Sequence, residues 1–296
     1  MSQQREPVLL LDWEFNGHGY SALFQESFHM RWIRGTRLHR YLKPFVPPFF
    51  RFLSKSKLSK VLVVTDRELR TPRMQGKRHV AWILEPPCLA PFPYDFTTKH
   101  ASKFDVVLTY NAELLKLGGP FQFYPCGGCW IKPEDWSVYS KSRCASIIAS
   151  EKRDTDGHQL RHRIIQESCL DDLAICGRGY QPIPYKLEAL RDFMFSFVIE
   201  NSRFDYYFTE KLIDCLVTGT VRVYYGCPSI GKFFNTDGFL ILSDIADLEH
   251  VESRMTVEVY NAMLPAIQEN FVLAQKYALA EDWIFENTDA FTAQGR

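Results

Sequence analysis

Three things are missing from the sequence, and each absence narrows what the protein can be. Arg, Lys, Asp or Pro interrupts every apolar run well short of the about 20 residues that a membrane-crossing helix needs. No integral membrane segment is therefore expected. Charge of one sign is missing as well, since 35 Lys and Arg balance 35 Asp and Glu among 296 residues. A neutral chain has no long-range attraction for nucleic acid or an anionic membrane, so any anion site must be local. The third absence is metal-ligand spacing. Eight histidines form no ligand pattern, and of eight cysteines only Cys126 and Cys129 make a Cys-x-x-Cys pair, with no second pair to complete a zinc site. A redox pair wants a helix start behind it, whereas Trp130, Ile131, Lys132 and Pro133 follow here, so the thiols read as reduced and structural. The opening MSQQREPVLLLDWEF has only a short apolar core, followed by Asp12 and Glu14 where a signal peptide carries small residues. It reads as a first strand, and the expected location is the cytoplasm.

What is present is core-forming material. With 46% hydrophobic and 15% aromatic residues the chain can bury one large core or two ordinary ones. Short apolar runs at 8–11, 61–64, 79–84 and 106–110 alternate with longer segments, and a Pro- and Phe-rich stretch at 44–52 reads as a loop. A second series follows, with runs at 146–149, 173–176, 195–199 and 221–225 and helical periodicity over 159–168 and from about 209. Strands alternating with helices imply parallel sheets. The expectation is two α/β domains, 1–138 and 139–296, joined within 132–145 and facing each other across a ligand-holding cleft. Residues 256–279 predict one amphipathic packing helix, and the last helix is free to pack back on the N-terminal domain.

The segment IENSRFDYYFTEKLIDCL, beginning at Ile199, concentrates polar groups after the apolar run 195–199. Ligands of open parallel sheets sit beyond the carboxyl ends of strands, which makes 200–207 the expected binding loop. Thr209 can cap the following helix, placing Lys211 in its first turn, where the positive helix end disfavours a cation by about 0.3–1 kcal/mol. Two compensations are open, a bound phosphate or a bridge from Glu200 or Glu210. Arg161 and Arg163 add positive charge near another helix start; two residues apart they face different ways, and Arg161 is the preferred phosphate ligand.

These residues together resemble a family. Glu200-Asn201-Ser202, Tyr207, Thr209-Glu210-Lys211, Gly219-Thr220-Val221 and Gly226 are similar to the donor-binding signature of family ten glycosyltransferases, the α-1,3/1,4-fucosyltransferases. Cys176-Gly177-Arg178-Gly179, Ala149-Ser150 and Arg161 extend the resemblance backward. Upstream, the stretch from Trp82 through Glu85-Pro86-Pro87 looks like that family's aromatic-x-x-Glu-Ser-Pro element, and 104–110 and 124–127 look like its later ones. The resemblance covers about 79–242. It implies a GT-B-like fold, two Rossmann-like domains with parallel sheets facing an interdomain cleft, the C-terminal one binding the donor. It implies inverting transfer of fucose from GDP-fucose to a glycan hydroxyl, with neither cofactor nor metal. Glu85 would then be the general base, and Arg161 and Lys211 would neutralise the departing diphosphate. Tyr207 and Glu210 would hold the nucleotide, Glu200 and Asn201 would shape the sugar pocket, and Ser202 and Thr209 complete the donor-binding set. The layout is closest to soluble microbial or viral members.

Departures from the pattern bear on donor and acceptor. Tyr206 separates Asp205 from Tyr207, Arg222 stands where the family has proline, and Pro86-Pro87 replaces Ser-Pro. A same-fold enzyme using another nucleotide sugar, such as a UDP-sugar, and a non-catalytic nucleotide- or carbohydrate-binding homologue are the competing readings. Asp154-Thr155-Asp156 has the spacing by which another glycosyltransferase fold holds a metal, but Asp156-Gly157 reads as a turn and the element order suits the metal-independent fold. His100 and His158 read as surface or loop residues.

Overall fold

The computed structural model describes residues 5–11, 27–34 and 59–292. Among them the chain forms two compact units, one holding the residues up to Pro125 together with those from Ala280 onward, the other Cys126–Leu279. The loop expected at 44–52 lies outside the described residues.

In the first unit, β1 (Glu6–Leu11), β2 (Met30–Arg34), β3 (Val61–Thr65), β4 (Arg78–Trp82), β5 (Val106–Thr109) and β6 (Phe121–Phe123) form one sheet in the order β2-β1-β3-β4-β5-β6. Every pairing is parallel. Sequences such as VLVVT suit its interior because β-branched side chains pack well on a pleat whose two faces are both covered, and all five residues of β3 are buried. Leu9, Leu11, Leu62, Val64, Ala81, Ile83 and Val107 pack on one face against Tyr94 of the helix Pro91–His100 and against Phe104. Burying each of these Leu, Ile and Val side chains is worth about 1.5–3 kcal/mol. The helix Ala280–Asn287 belongs to this unit and is pinned by polar contacts. Ser27 Oγ donates to Asp282 and His29 Nε2 lies 3.0 Å from Glu286, and just past the helix Arg78 pairs with Asp289 at 2.7 Å.

The second unit repeats the plan with β7 (Arg143–Ile148), β8 (Ala174–Cys176), β9 (Phe193–Ile199), β10 (Val221–Tyr225) and β11 (Phe239–Ile241), ordered β11-β10-β9-β7-β8 and again parallel throughout. Ala145, Ile147, Phe195, Phe197, Val221 and Val223 face Ile164, Tyr260 and Ile267, while Val198 and Tyr224 join the opposite cluster around Phe208, Leu212 and Leu216. Because β7 is flanked by β8 on one side and β9 on the other, the winding reverses there. Such a reversal opens a crevice beyond the strand ends, here Ile148 and Ile199.

Two readings are corrected. The single helix expected over 256–279 is two, Val257–Ala262 and Leu264–Gln275, separated at Met263. Pro265 in the first turn of the second helix has no N–H to continue the first helix's bonding. The expected Asp156-Gly157 turn is the start of a helix, Asp156–Glu167, capped by the Thr155 side chain accepting from His158 N–H. Strands β2, β6 and β11 were not anticipated, being short or broken by arginine.

Arg222, in the middle of β10, is 1% exposed. It donates to Gly238 O at 2.6 Å and lies 4.1 Å over the Phe239 ring, and burial pulls its pKa down to about 10. Among the described residues no carboxylate pairs with it. A buried cation without a counter-charge contributes little net stability, so Arg222→Met is expected to unfold in urea within about 1 kcal/mol of the parent or above it. Arg222→Ala, which leaves a void, is expected to lose about 2 kcal/mol or more.

Candidate functional site

The polar residues of the second unit gather where its sheet reverses direction. Glu200 follows β9 directly, is completely buried, and donates its N–H to Tyr225 O at 2.8 Å. Its carboxylate accepts from Thr209 N–H at 2.8 Å and from Thr209 Oγ1 at 2.7 Å. Thr209 in turn caps the helix Glu210–Leu216 by accepting from Lys211 N–H, a local rule of N-cap residues. Lys211 Nζ is left 3.1 Å from Thr209 Oγ1, 3.4 Å from Glu210 Oε1 and 3.7 Å from Glu200 Oε2. The bridge anticipated as one of two compensations is therefore made, by both glutamates and at long range. Burial pushes the Glu200 carboxyl up, Lys211 works against that shift, and Glu210 adds to it.

A third carboxylate and a further cation continue this row. Asp214 lies one turn after Glu210 and accepts from Lys186 Nζ at 2.9 Å and from Trp130 N–H at 2.6 Å. Lys186 is also 3.6 Å from Glu210 and sits 4.3 Å over the Trp130 ring. Burial alone would raise the Glu210 carboxyl, but Lys211 and Lys186 outweigh it and hold the group at about 2. For Lys186, burial acts downward and is outweighed by Asp214 and Glu210, which keep its ammonium above the ordinary range. Three cations and three carboxylates thus alternate as Arg161, Glu200, Lys211, Glu210, Lys186 and Asp214. Neither Lys186 nor Asp214 was anticipated. Asp214 had a signal, the four-residue spacing that puts it on the same helix face as Glu210. Lys186 had none.

Arg161 is 6% exposed and donates one terminal nitrogen to Ile199 O and, at 3.2 Å, to Asn201 Oδ1. Arg163, on the other helix face, pairs in the open with Glu167. Gly157 brings Arg161's helix against the loop, because a Cβ there would lie 1.8 Å from Glu200 O. Ser202 is half-buried, and Tyr207 is 2% exposed with its ring stacked on Phe204 at 4.7 Å. Tyr206, the residue that departs from the family pattern, adopts φ +66. Glu85 lies in the other unit, half-buried, three residues beyond β4. His158 is corrected from the surface to a buried position, where burial and then Arg161 lower its pKa to about 4. Cys129 is buried, and burial followed by Asp214 drives its thiol well up, the reverse of what a reactive thiolate needs. Among the described residues no three His, Cys, Asp or Glu side chains cluster as a metal site, and no helix is long and apolar enough to cross a membrane.

Comparison with known proteins gives a consistent picture. No protein-family model matches the chain. It is 37% identical over 109 residues, 36% of its length, to a fucosyltransferase-like protein of Arabidopsis thaliana, and 34% identical over 71 residues, 24% of its length, to the alpha-(1,3)-fucosyltransferase FucT of Helicobacter pylori. These matches span 20% and 15% of the relatives' own lengths. A crystal structure of an alpha1,3-fucosyltransferase with GDP superposes with a TM-score of 0.56 at 14% identity, covering 94% of this chain and 92% of that one. The sucrose-phosphate synthase of Thermosynechococcus elongatus gives 0.56 at 12% identity, over 95% and 97%. Identities this low establish fold alone. The fold is α/β and GT-B-like, built from two sheets of parallel strands with helices.

Removing one member of the row strands its partner. Lys186→Ala is expected to lower the unfolding free energy by about 3–5 kcal/mol, read from urea titration, because the buried Asp214 then loses its counter-charge and keeps only the Trp130 N–H. The depressed Glu210 carboxyl fixes an acid limb. Its folded pKa, about 2, lies below the ordinary 4.5, so its stabilisation is complete above pH 4.5 and is lost as pH falls toward 2. Melting temperatures from pH 7 to 3 should fall less steeply for Glu210→Gln than for the parent.

Proposed function

We propose that the protein is an inverting glycosyltransferase that moves fucose from GDP-fucose to a hydroxyl of a glycan acceptor. The observation that carries this reading is the gathering of Arg161, Glu200, Asn201, Thr209, Glu210 and Lys211 beyond the strand ends of the second unit. Similarity to fucosyltransferase sequences and to a GDP-bound fucosyltransferase fold supports it.

The chemistry asks for these residue types. Displacement at an anomeric carbon passes through an oxocarbenium-like state while charge builds on the diphosphate, so preplaced cations lower the barrier. In this reading Arg161 and Lys211 supply them. The Lys211 pairs, at 3.4 and 3.7 Å, are longer than charge-assisted hydrogen bonds, and an arriving phosphate can outbid them without breaking a tight bridge. Glu210 and Tyr207 hold the nucleotide, the carboxylate at the ribose hydroxyls, and Glu200 with Asn201 and Ser202 shapes the sugar pocket. Glu85 takes the proton of the attacking hydroxyl, and one in-line step gives inversion. No metal or further cofactor is invoked, and the chain is read as a soluble, cytoplasmic relative of the microbial or viral family ten enzymes, with domains 1–138 for acceptor and 139–296 for donor.

Calorimetric titration with GDP, UDP, ADP and CMP tests the donor. Selective GDP binding, weakened about tenfold or more in Lys211→Ala, is expected; preference for UDP would overturn the donor, and no binding would favour a non-catalytic homologue. Glu85→Gln is expected to lower transfer about a hundredfold or more while leaving GDP affinity unchanged.

A further inference from the structure

The backbone that carries Glu85 is held in an unusual way. The last ladder bond of β4 with its neighbour is Ile83 N–H to Leu108 O, 3.0 Å, and the carbonyls that follow are taken by side chains. Three phenols replace it. Tyr124 donates to Ile83 O at 2.6 Å, Tyr110 to Leu84 O at 2.8 Å, and Tyr94 to Glu85 O at 2.9 Å. The N–H of Leu84 is also taken, by Asp66 Oδ1 at 3.2 Å. Pro86 and Pro87 then fix φ on the far side.

The phenols come from three places in the same unit. Tyr94 is on the helix Pro91–His100, Tyr110 follows β5 and Tyr124 follows β6. Tyr110 and Tyr124 are fully buried, their rings 5.8 Å apart, and Tyr94 Oη lies 3.3 Å from Tyr110 Oη. Trp82 packs edge-on against Tyr124 at 5.7 Å. Ile83 and Leu84 are buried, so their carbonyls need protein partners in any case, and the choice of partner is what bears on Glu85. A phenol has few torsions and one donated hydrogen, so it fixes a carbonyl's position where water would follow its movement. On the segment so fixed, Ile83 and Leu84 are buried apolar residues, and Glu85 alone presents a functional group.

We propose that Tyr94, Tyr110 and Tyr124 are positioning residues for the transfer reaction, a clamp that holds the Glu85 backbone so that its carboxylate meets the acceptor hydroxyl. The proposal rests on the reading of Glu85 as general base. Misplacement of a reacting group by about 1 Å can cost about a hundredfold in rate, so loosening one carbonyl of three should be felt in the proton-transfer step and not in donor binding.

The test compares Tyr94→Phe, Tyr110→Phe and Glu85→Gln with the parent. Three quantities are measured: fucosylation of a panel of soluble disaccharides from GDP-fucose, hydrolysis of GDP-fucose to water, and GDP affinity by calorimetry. Expected for each tyrosine variant is a fall in kcat for transfer of about tenfold or more, with GDP affinity within about twofold of the parent. Normal transfer in both tyrosine variants beside an inactive Glu85→Gln would overturn the clamp and leave the base reading standing. Full transfer by Glu85→Gln would overturn the base reading and the clamp with it, as would a parent that fucosylates no member of the panel. A parallel fall in transfer, hydrolysis and GDP affinity would show that the tyrosines support the fold at large, and would also overturn the clamp. Should Tyr110→Phe lose its melting transition, Tyr94→Phe, whose ring lies nearest the surface of the three, decides the matter.

Discussion

A carboxylate sealed from water at the end of β9 governs the second unit. An isolated ion in that position costs several kcal/mol, and Glu200 is tolerable there because Thr209 gives it two hydrogen bonds and Lys211 a nearby charge. Much else follows from meeting that requirement. Thr209 cannot serve Glu200 without standing at the start of its helix, which puts Glu210 and Lys211 in the first turn and Asp214 in the next. Room for the carboxylate's own segment requires Gly157 on one side and Gly226 on the other, where a Cβ would lie 2.7 Å from Glu200 Cγ. The row of alternating charges is thus the extension of one buried ion's need for partners.

How much of this could be read from the sequence depended on whether the signal was local. Parallel strands were legible at 61–64, 106–110, 195–199 and 221–225 because strands covered on both faces spell unbroken apolar runs. β2, with Arg31 and Arg34 in five residues, and the three-residue β6 and β11 carry too little pattern to separate from loop. Thr209 as a cap and Lys211 in the first turn were legible because capping is a rule about adjacent residues. The partners of those groups were not. Lys186 reaches Asp214 from 28 residues away, and His158, polar in a polar stretch, looks like a surface residue until tertiary packing covers it. The clamp on residues 83–85 is of the same kind, since its three phenols lie 9 to 41 residues from the carbonyls they hold.

Departures from the family pattern fall on opposite sides of this division. Arg222 is accommodated inside the second unit by a carbonyl and an aromatic ring, and its effect is confined to packing. Pro86-Pro87 and Tyr206 lie beside residues assigned to the chemistry. Tyr206 takes a left-handed backbone conformation that costs of order 1 kcal/mol for a residue with a Cβ, and its hydroxyl accepts from Lys232 Nζ at 3.0 Å. Departure from the family pattern and local strain therefore coincide at Tyr206, in the loop that follows Glu200.

The return of Ala280–Asn287 to the first unit has a consequence for biosynthesis. A domain made of one continuous stretch can close as soon as that stretch has left the ribosome. Here the partners of Ser27, His29, Arg78 and Gln122 are Asp282, Glu286 and Asp289, and Asp282 is made 255 residues later than Ser27. The second unit, continuous from Cys126 to Leu279, is complete in the nascent chain before the first can be. Order of synthesis and order of completion are inverted, and the first sheet must wait, with part of its polar surface unmatched, until the last helix emerges.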